Sequence, residues 1–284
     1  MADHATPKSR TLGAALREAR EAKKISLRGL AGELELDPSR LSKWETGKQV
    51  PKDTVVSQIL THLGVTGDRY DEIVAMTAGA DAGTWLAVTL PEQRQHLAAL
   101  LDLEATAKMI TSVSPLLIPG VLQEGEYVRA IMSAGDLPSG EISTRVATRL
   151  GRRDTIARRT PAQLRAFIGE AALRQVIGSR TVMEHQLSHL LLEAERPNVE
   201  IRVVTFDSGW HSGLEGPFSL IDPRPGEGIV PVVHIENRRS GLFLHEVEDV
   251  ATYRQAVDTV VQAAMSPADT KGLIADVIKE MRTR

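Results

Sequence analysis

The sequence predicts an α+β protein, with an all-α head followed by a mixed α/β body. Two observations predict it, and a third hints at a head that binds a polyanion. Apolar residues recur at helical spacing through the first 80 residues, in short runs separated by capping residues. Beyond residue 160 come short β-branched runs, of which Val199-Glu200-Ile201-Arg202-Val203-Val204-Thr205-Phe206 alternates most regularly. Charge also divides unevenly: residues 1–52 carry 11 basic and 7 acidic side chains, and the remainder carries 23 and 30. At roughly 150 residues per domain, 284 residues suggest two domains. We expect a head over 1–78, a linker over 79–90 and a body over 91–284.

The first helix follows from Leu12, Ala15, Leu16 and Ala19, which fall on one face. Leu27, Leu30, Ala31 and Leu34 define the second, with Ser26 placed to cap it. Asp37-Pro38 gives the third helix, 38–46, an N-cap and a proline at its first position, and Gly47 sits where a terminating glycine belongs. Pro51 and Asp53 open a fourth helix carrying Val56, Ile59, Leu60 and Leu63, and Gly64 closes it. Tyr70, Ile73, Val74 and Thr77 mark a fifth, less cleanly. Only Glu35-Leu36-Asp37 separates the second helix from the third, the spacing of a helix-turn-helix. Leu41 and Trp44 occupy the apolar side of the third helix. Pro38, Ser39, Arg40, Ser42 and Lys43 are left outside, a mix suited to base edges and phosphates.

Leu12 to Pro51 resembles the Cro/C1-type (XRE) helix-turn-helix of phage and bacterial repressors, a lambda-repressor-like fold. Ser26-Leu27, Leu30-Ala31, Ser39, Leu41-Ser42, Glu45, Gly47 and Pro51 carry the resemblance. It implies binding to double-stranded DNA, with Pro38, Ser39 and Lys43 reaching bases and Ser42 on the same exposed side. Arg28, Arg40, Lys48 and Lys52 are better placed for phosphates, which fix register without reading sequence. A lone helix-turn-helix reads few base pairs, so a homodimer on two half-sites is expected. Two positions depart from the family: Leu27 stands where Gln is common, and Glu35 where the turn often has Gly. A left-handed Glu35 carries strain.

In the body, Gly79-Ala80-Asp81-Ala82-Gly83-Thr84 reads as linker. Pro91 to about Ile110 reads as a helix, and Pro115 to Gln123 as an apolar loop ahead of a helix through Tyr127 and Ile131. Glu141 to Arg159 reads as an arginine-rich helix. A helix with Leu187, Leu190 and Leu191 precedes the regular strand at 199–206. Further strands are expected at 164–168, 217–221, 230–235 and 241–244, and two helices, 247–264 and 267–281, close the chain. Ile118-Pro119-Gly120-Val121-Leu122-Gln123, Glu126-Tyr127-Val128-Arg129-Ala130, Glu170-Ala171-Ala172-Leu173-Arg174 and Gly209-Trp210-His211-Ser212-Gly213 resemble marks of actinobacterial regulators of the WhiJ type. These join the same head to a C-terminal domain of unknown function. The resemblance implies a possible small protein partner in an antitoxin-like arrangement. We expect the body to dimerise and to sense a ligand or that partner; the alternative is that binding the partner is the main role, with DNA used for autoregulation.

Composition narrows the chemistry. With no cysteine, disulfides, Cys-ligated zinc and thiol catalysis are excluded, and a cytoplasmic location fits. No apolar stretch reaches bilayer-spanning length, so no membrane association is expected. Phosphate-binding and dinucleotide-binding glycine signatures are absent, and no cofactor is expected. His185 and His189 share a helix face, yet Gln186 replaces the glutamate a metallopeptidase needs, so surface or core histidines are the better reading. Asp207, Ser208, His211 and Ser212 cluster in one loop without a nucleophile elbow. That loop lines a ligand or partner surface, or simply connects strands. Neither catalytic nor metal-ligating residues are assigned, and no enzyme activity is expected. The run Arg145, Arg149, Arg152, Arg153, Arg158 and Arg159 reads first as a solvated face partly paired with Glu141 and Asp154, and otherwise as a surface for an acidic partner, an anionic ligand or flanking phosphates.

Overall fold

In a computed structural model, residues 5–135, 139–226, 228–238 and 240–283 are described, Ser139 by its backbone alone. The chain opens with α1 (Pro7–Ala22), α2 (Leu27–Glu33), α3 (Pro38–Glu45), α4 (Asp53–His62) and α5 (Asp68–Ala75). Next come β1 (Thr84–Ala87), α6 (Leu90–Thr106), β2 (Ala107–Ser114), α7 (Gly125–Ser133), α8 (Ser139–Gly151) and α9 (Asp154–Ala157). Then follow β3 (Gln163–Gly169), α10 (Glu170–Arg174), α11 (Arg180–Glu193), β4 (Val199–Val204) and β5 (Phe218–Pro223). The chain ends with β6 (Val232–Glu236), β7 (Gly241–Leu244), α12 (Val247–Ala263) and α13 (Pro267–Thr283). The fold class is α+β, as the sequence predicts. No helix among the described residues is long and apolar enough to cross a membrane.

Two compact units emerge, Met1–Thr106 with Pro223–Asp249, and Ala107–Asp222 with Val250–Arg284. In the first, α1 to α5 enclose one apolar core in which Leu30, Leu41, Val56 and Leu60 are fully buried. The expected caps are present. Ser26 Oγ accepts from the Gly29 N–H at 3.0 Å, and the Asp37 carboxylate accepts from the Ser39 N–H at 2.7 Å. Thr6 and Ser9 form a capping box on α1. The same unit holds three strands in the order β1-β7-β6, both pairings antiparallel. The expected linker 79–90 thus contains a strand: Trp85 and Ala87 face inward and are buried.

The second unit holds strands in the order β5-β2-β3-β4, with β2–β3 and β3–β4 parallel. Ser114 pairs with Ile168, and Gly169 with Val204, so the three carboxyl ends lie level. The helix expected through Ile110 stops at Thr106, and the chain passes straight into β2. In β2, Ile110, Thr111, Ser112 and Val113 are all buried, so both faces are covered and no alternation is left to signal a strand. The strands and helices expected from residue 164 onward are present within a few residues of their predicted limits.

Glu35 adopts φ 53°, one of two described non-glycine residues in the left-handed region, the other being Lys24 at 57°. Both terminate helices in the same way. The Leu36 N–H donates to Ala31 C=O at 2.8 Å and the Glu35 N–H to Gly32 C=O at 3.3 Å, the bonding pair of a Schellman turn. At Lys24 the equivalent bonds reach Glu21 and Arg20. A side chain in this conformation costs about 1 kcal/mol, partly offset by the extra chain entropy a glycine loses on folding. Glu35→Gly is therefore expected to leave the melting temperature unchanged or raise it slightly. A clear fall in a thermal melt would contradict the strain argument.

Candidate nucleic-acid interface

The α2–turn–α3 unit is built from its caps inward. The Schellman turn at Glu35 ends α2, and two residues later the Asp37 cap starts α3 with Pro38 at its first position. Leu36 is left half-buried against the core. Within α3, Leu41 and Trp44 are buried, fixing its rotation. Close backbone contact sets its depth: a Cβ on Gly13 of α1 would lie 2.4 Å from the Trp44 carbonyl oxygen. Ser9 Oγ also donates to the Gly47 C=O at 2.7 Å, tying the start of α1 to the end of α3. Gly47 takes φ 74° at that end, as its position in the sequence implies.

With α3 so held, Pro38, Ser39 and Arg40 are exposed on its outer side, and Ser42 and Lys43 are half-buried. Arg28 on α2 and Lys48 and Lys52 in the segment after α3 are exposed. The Arg40 guanidinium lies over the Trp44 ring, 5.1 Å from its centroid, a contact that limits its freedom before any phosphate is met. All eight residues proposed for DNA thus belong to one segment of α2, α3 and the loop after it. Leu27, where the family often has Gln, is half-buried against the core and offers no hydrogen bond.

Sequence alone gives Glu45 no role beyond the family resemblance and does not single out Arg20. Glu45 at the end of α3 is 3% exposed, and its two carboxylate oxygens accept from Arg20 Nε at 2.7 Å and Nη2 at 2.8 Å. Arg20 Nη1 donates to the Ile25 C=O, and hydrogen bonding to Glu45 raises the guanidinium pKa above its ordinary value. Arg17 adds an Nη2 donor to the Glu45 C=O at 2.9 Å. A signal existed: Arg20 continues the Leu12–Leu16 stripe at i+4, a charge on an apolar face.

The other candidates fall apart from one another. His185 lies 3.3 Å from Glu126, whereas His189 is half-buried beside Glu193, so the pair does not converge on a ligand. Desolvation pushes the His189 pKa below its ordinary value. No group of three or more possible metal ligands occurs among the described residues. In the 207–212 loop the Asp207 carboxylate accepts from Thr205 Oγ1, and Ser212 Oγ accepts from Thr259. His211 Nδ1 has no partner, so no Ser-His-Asp relay forms. The arginine run is not one solvated face. Arg145 pairs with Glu141 as expected, and Arg153 reaches Glu193 at 3.4 Å. Arg149 and Arg152 lie over Gly120, where a Cβ would be 3.0 and 2.6 Å from their guanidinium nitrogens.

Residues 11–73 match a family model described as a helix-turn-helix domain. Residues 97–276 match one described as a domain of unknown function (DUF5753). Neither a curated protein nor a solved structure matches the chain.

Proposed function

The chain belongs to the DUF5753 family and carries a helix-turn-helix domain ahead of that region, and from this premise we propose a sequence-specific transcriptional regulator that works in the cytoplasm and is not an enzyme. The DNA-binding character follows from the helix-turn-helix domain. Its finer assignment to the Cro/C1 (XRE) type, in the WhiJ-like arrangement of actinobacteria, is part of the proposal. One observation carries it: α3 is locked from behind by Leu41, Trp44 and the Glu45–Arg20 pair while Pro38, Ser39 and Arg40 face outward. In this reading α3 enters the major groove, with Lys43 at a base edge and Arg28, Arg40, Lys48 and Lys52 on phosphates. Two copies bind half-sites about one helical turn apart, roughly 34 Å. The DUF5753 region senses a ligand or a small partner protein, and co-purification from the native host tests for the latter.

Selection of genomic fragments by the purified protein near physiological salt tests the whole reading. One palindromic or repeated site should emerge, and the Arg40→Ala/Lys43→Ala double variant should lose it. Recovery of the same site by that variant would remove α3 from the interface. On the selected site, Lys43→Ala alone should cost about 1–3 kcal/mol and relax specificity at one base position. Uniform weakening on all sequences would instead place Lys43 on phosphate.

A further inference from the structure

The second unit has a cavity of about 220 Å³ at the carboxyl ends of its three parallel strands. Open α/β sheets hold ligands at this end, because the loops leaving the strands diverge there. Pro115 and Leu116 follow β2, Gly169 and Glu170 end β3 and begin α10, and Thr205 and Phe206 follow β4. Phe167 and Val260 line it from β3 and α12. The loop after β2 approaches β3 so closely that a Cβ on Gly169 would lie 2.3 Å from the Pro115 carbonyl oxygen. Leu116, Phe206 and Leu214, which also line it, are 64%, 70% and 58% exposed. Large apolar side chains left in water around one concavity are a feature of binding sites.

Its polar content is narrow. Among the described residues no lysine or arginine lines the cavity. The Glu170 carboxylate is already occupied, accepting from Arg174 Nε at 2.6 Å and from the Phe206 N–H at 3.1 Å. His211 differs: it is 6% exposed, it lines the cavity, and its Nδ1 has no hydrogen-bond partner. A Cβ on Gly213 would come within 2.9 Å of that nitrogen, so any side chain there would be driven against the ring. A buried nitrogen without a partner is costly, and where its side chain lines an open cavity it points to a missing group. Burial lowers the His211 pKa, so the ring is neutral near pH 7 and can donate or accept.

We propose that this cavity binds a small, uncharged, largely apolar molecule of one or two rings whose single hydroxyl or amide group satisfies His211 Nδ1. The size follows from cavity volume: roughly 150 Å³ takes one benzene, so this cavity accommodates one ring more at most. Apolar walls and the carboxylate exclude anions, and the pairing of that carboxylate with Arg174 leaves nothing to attract a cation. As an effector site it rests on the reading of the DUF5753 region as a sensor; as a binding site it stands independently.

The test uses the full chain, with 2-naphthol and naphthalene as probes and 2-naphthoate as the anionic control, read by titration calorimetry. One mole of 2-naphthol should bind per chain, about tenfold tighter than naphthalene, with no binding of 2-naphthoate. His211→Phe, which keeps a ring in place, should bind both neutral probes equally. Ala171→Trp, at the half-exposed wall, should bind neither while melting at the wild-type temperature. Overturning results are no binding of 2-naphthol by folded protein, retained binding in Ala171→Trp, or an unchanged preference in His211→Phe. Operator affinity measured on the same samples separates the two readings. A sample that binds operator but no 2-naphthol overturns the pocket alone, and one that takes 2-naphthol but no DNA overturns the regulator alone.

Discussion

Replacing Glu45 with alanine is expected to be the most damaging single change in the head, costing about 3–5 kcal/mol of its stability. The figure comes from what is left behind. Arg20 is 8% exposed, and three of its contacts, at Nε, Nη1 and Nη2, are made inside the fold. Without Glu45 two of these are lost and a guanidinium that cannot release its proton stays buried without its carboxylate. The loss reaches function through geometry. Glu45 is the last residue of α3 and Arg20 lies in the last turn of α1, so the pair fixes the angle between the helix proposed to read DNA and the helix that supports it. Chemical denaturation of wild type and Glu45→Ala should show the deficit. Operator affinity should fall on warming and recover on cooling, because the side chains proposed to face DNA are untouched. Glu45→Gln should fall between, since an amide keeps the shape and one acceptor but not the charge. A deficit below about 1 kcal/mol would mean that Arg20 swings into water and behaves as an ordinary surface cation.

That pair also marks the limit of what the sequence makes legible. Caps and stops are local chemistry: Ser26, Asp37-Pro38, Gly47 and Gly64 each act within four residues of themselves, and each stands where the sequence places it. The left-handed Glu35 is legible for the same reason, as a family glycine position filled by another residue. The Arg20–Glu45 contact joins residues 25 apart, and only the fold of α1 on α3 defines it. The two unforeseen strands fail for different reasons. β1 hides among glycine, alanine and threonine that read as linker, and only its pairing with β7 orders it. β2 follows α6 with no glycine or proline between, so nothing local separates a buried helix from a buried strand. The cavity is partly legible. The 207–212 loop is singled out by its polar residues, but its partners come from the ends of β2 and β3, which only parallel pairing brings together.

Acid should weaken the first unit through a buried histidine that no functional argument selects. His96 of α6 is 5% exposed. Its ring stacks on Phe243 at 3.8 Å and meets Trp85 edge-on at 5.3 Å. It also covers Gly241, where a Cβ would lie 2.5 Å from its Cε1. Desolvation, with a smaller contribution from His234, lowers its pKa from 6.5 to about 3, against a small opposing pull from Glu236. Its Nε2 has no partner, so a proton added there would meet no acceptor. Between pH 6.5 and about 3 the unfolded chain therefore takes a proton that the folded one refuses. Stability is full above that window and falls as the pH drops through it, by about 1.4 kcal/mol per pH unit. From neutral pH to about pH 4.5 the loss from this one residue is roughly 2–3 kcal/mol, and it approaches 4 kcal/mol near the folded pKa. His96→Leu removes the titration while keeping an apolar side chain against Phe243. Its urea-unfolding free energy should thus decline less with acid than that of wild type, by the same roughly 2–3 kcal/mol at about pH 4.5. His245, held below its ordinary pKa by burial in the same unit, contributes equally to both proteins and cancels in the comparison. Parallel pH curves for wild type and His96→Leu would mean that His96 takes up its proton in the folded state, with the ring swinging away from Phe243 to do so.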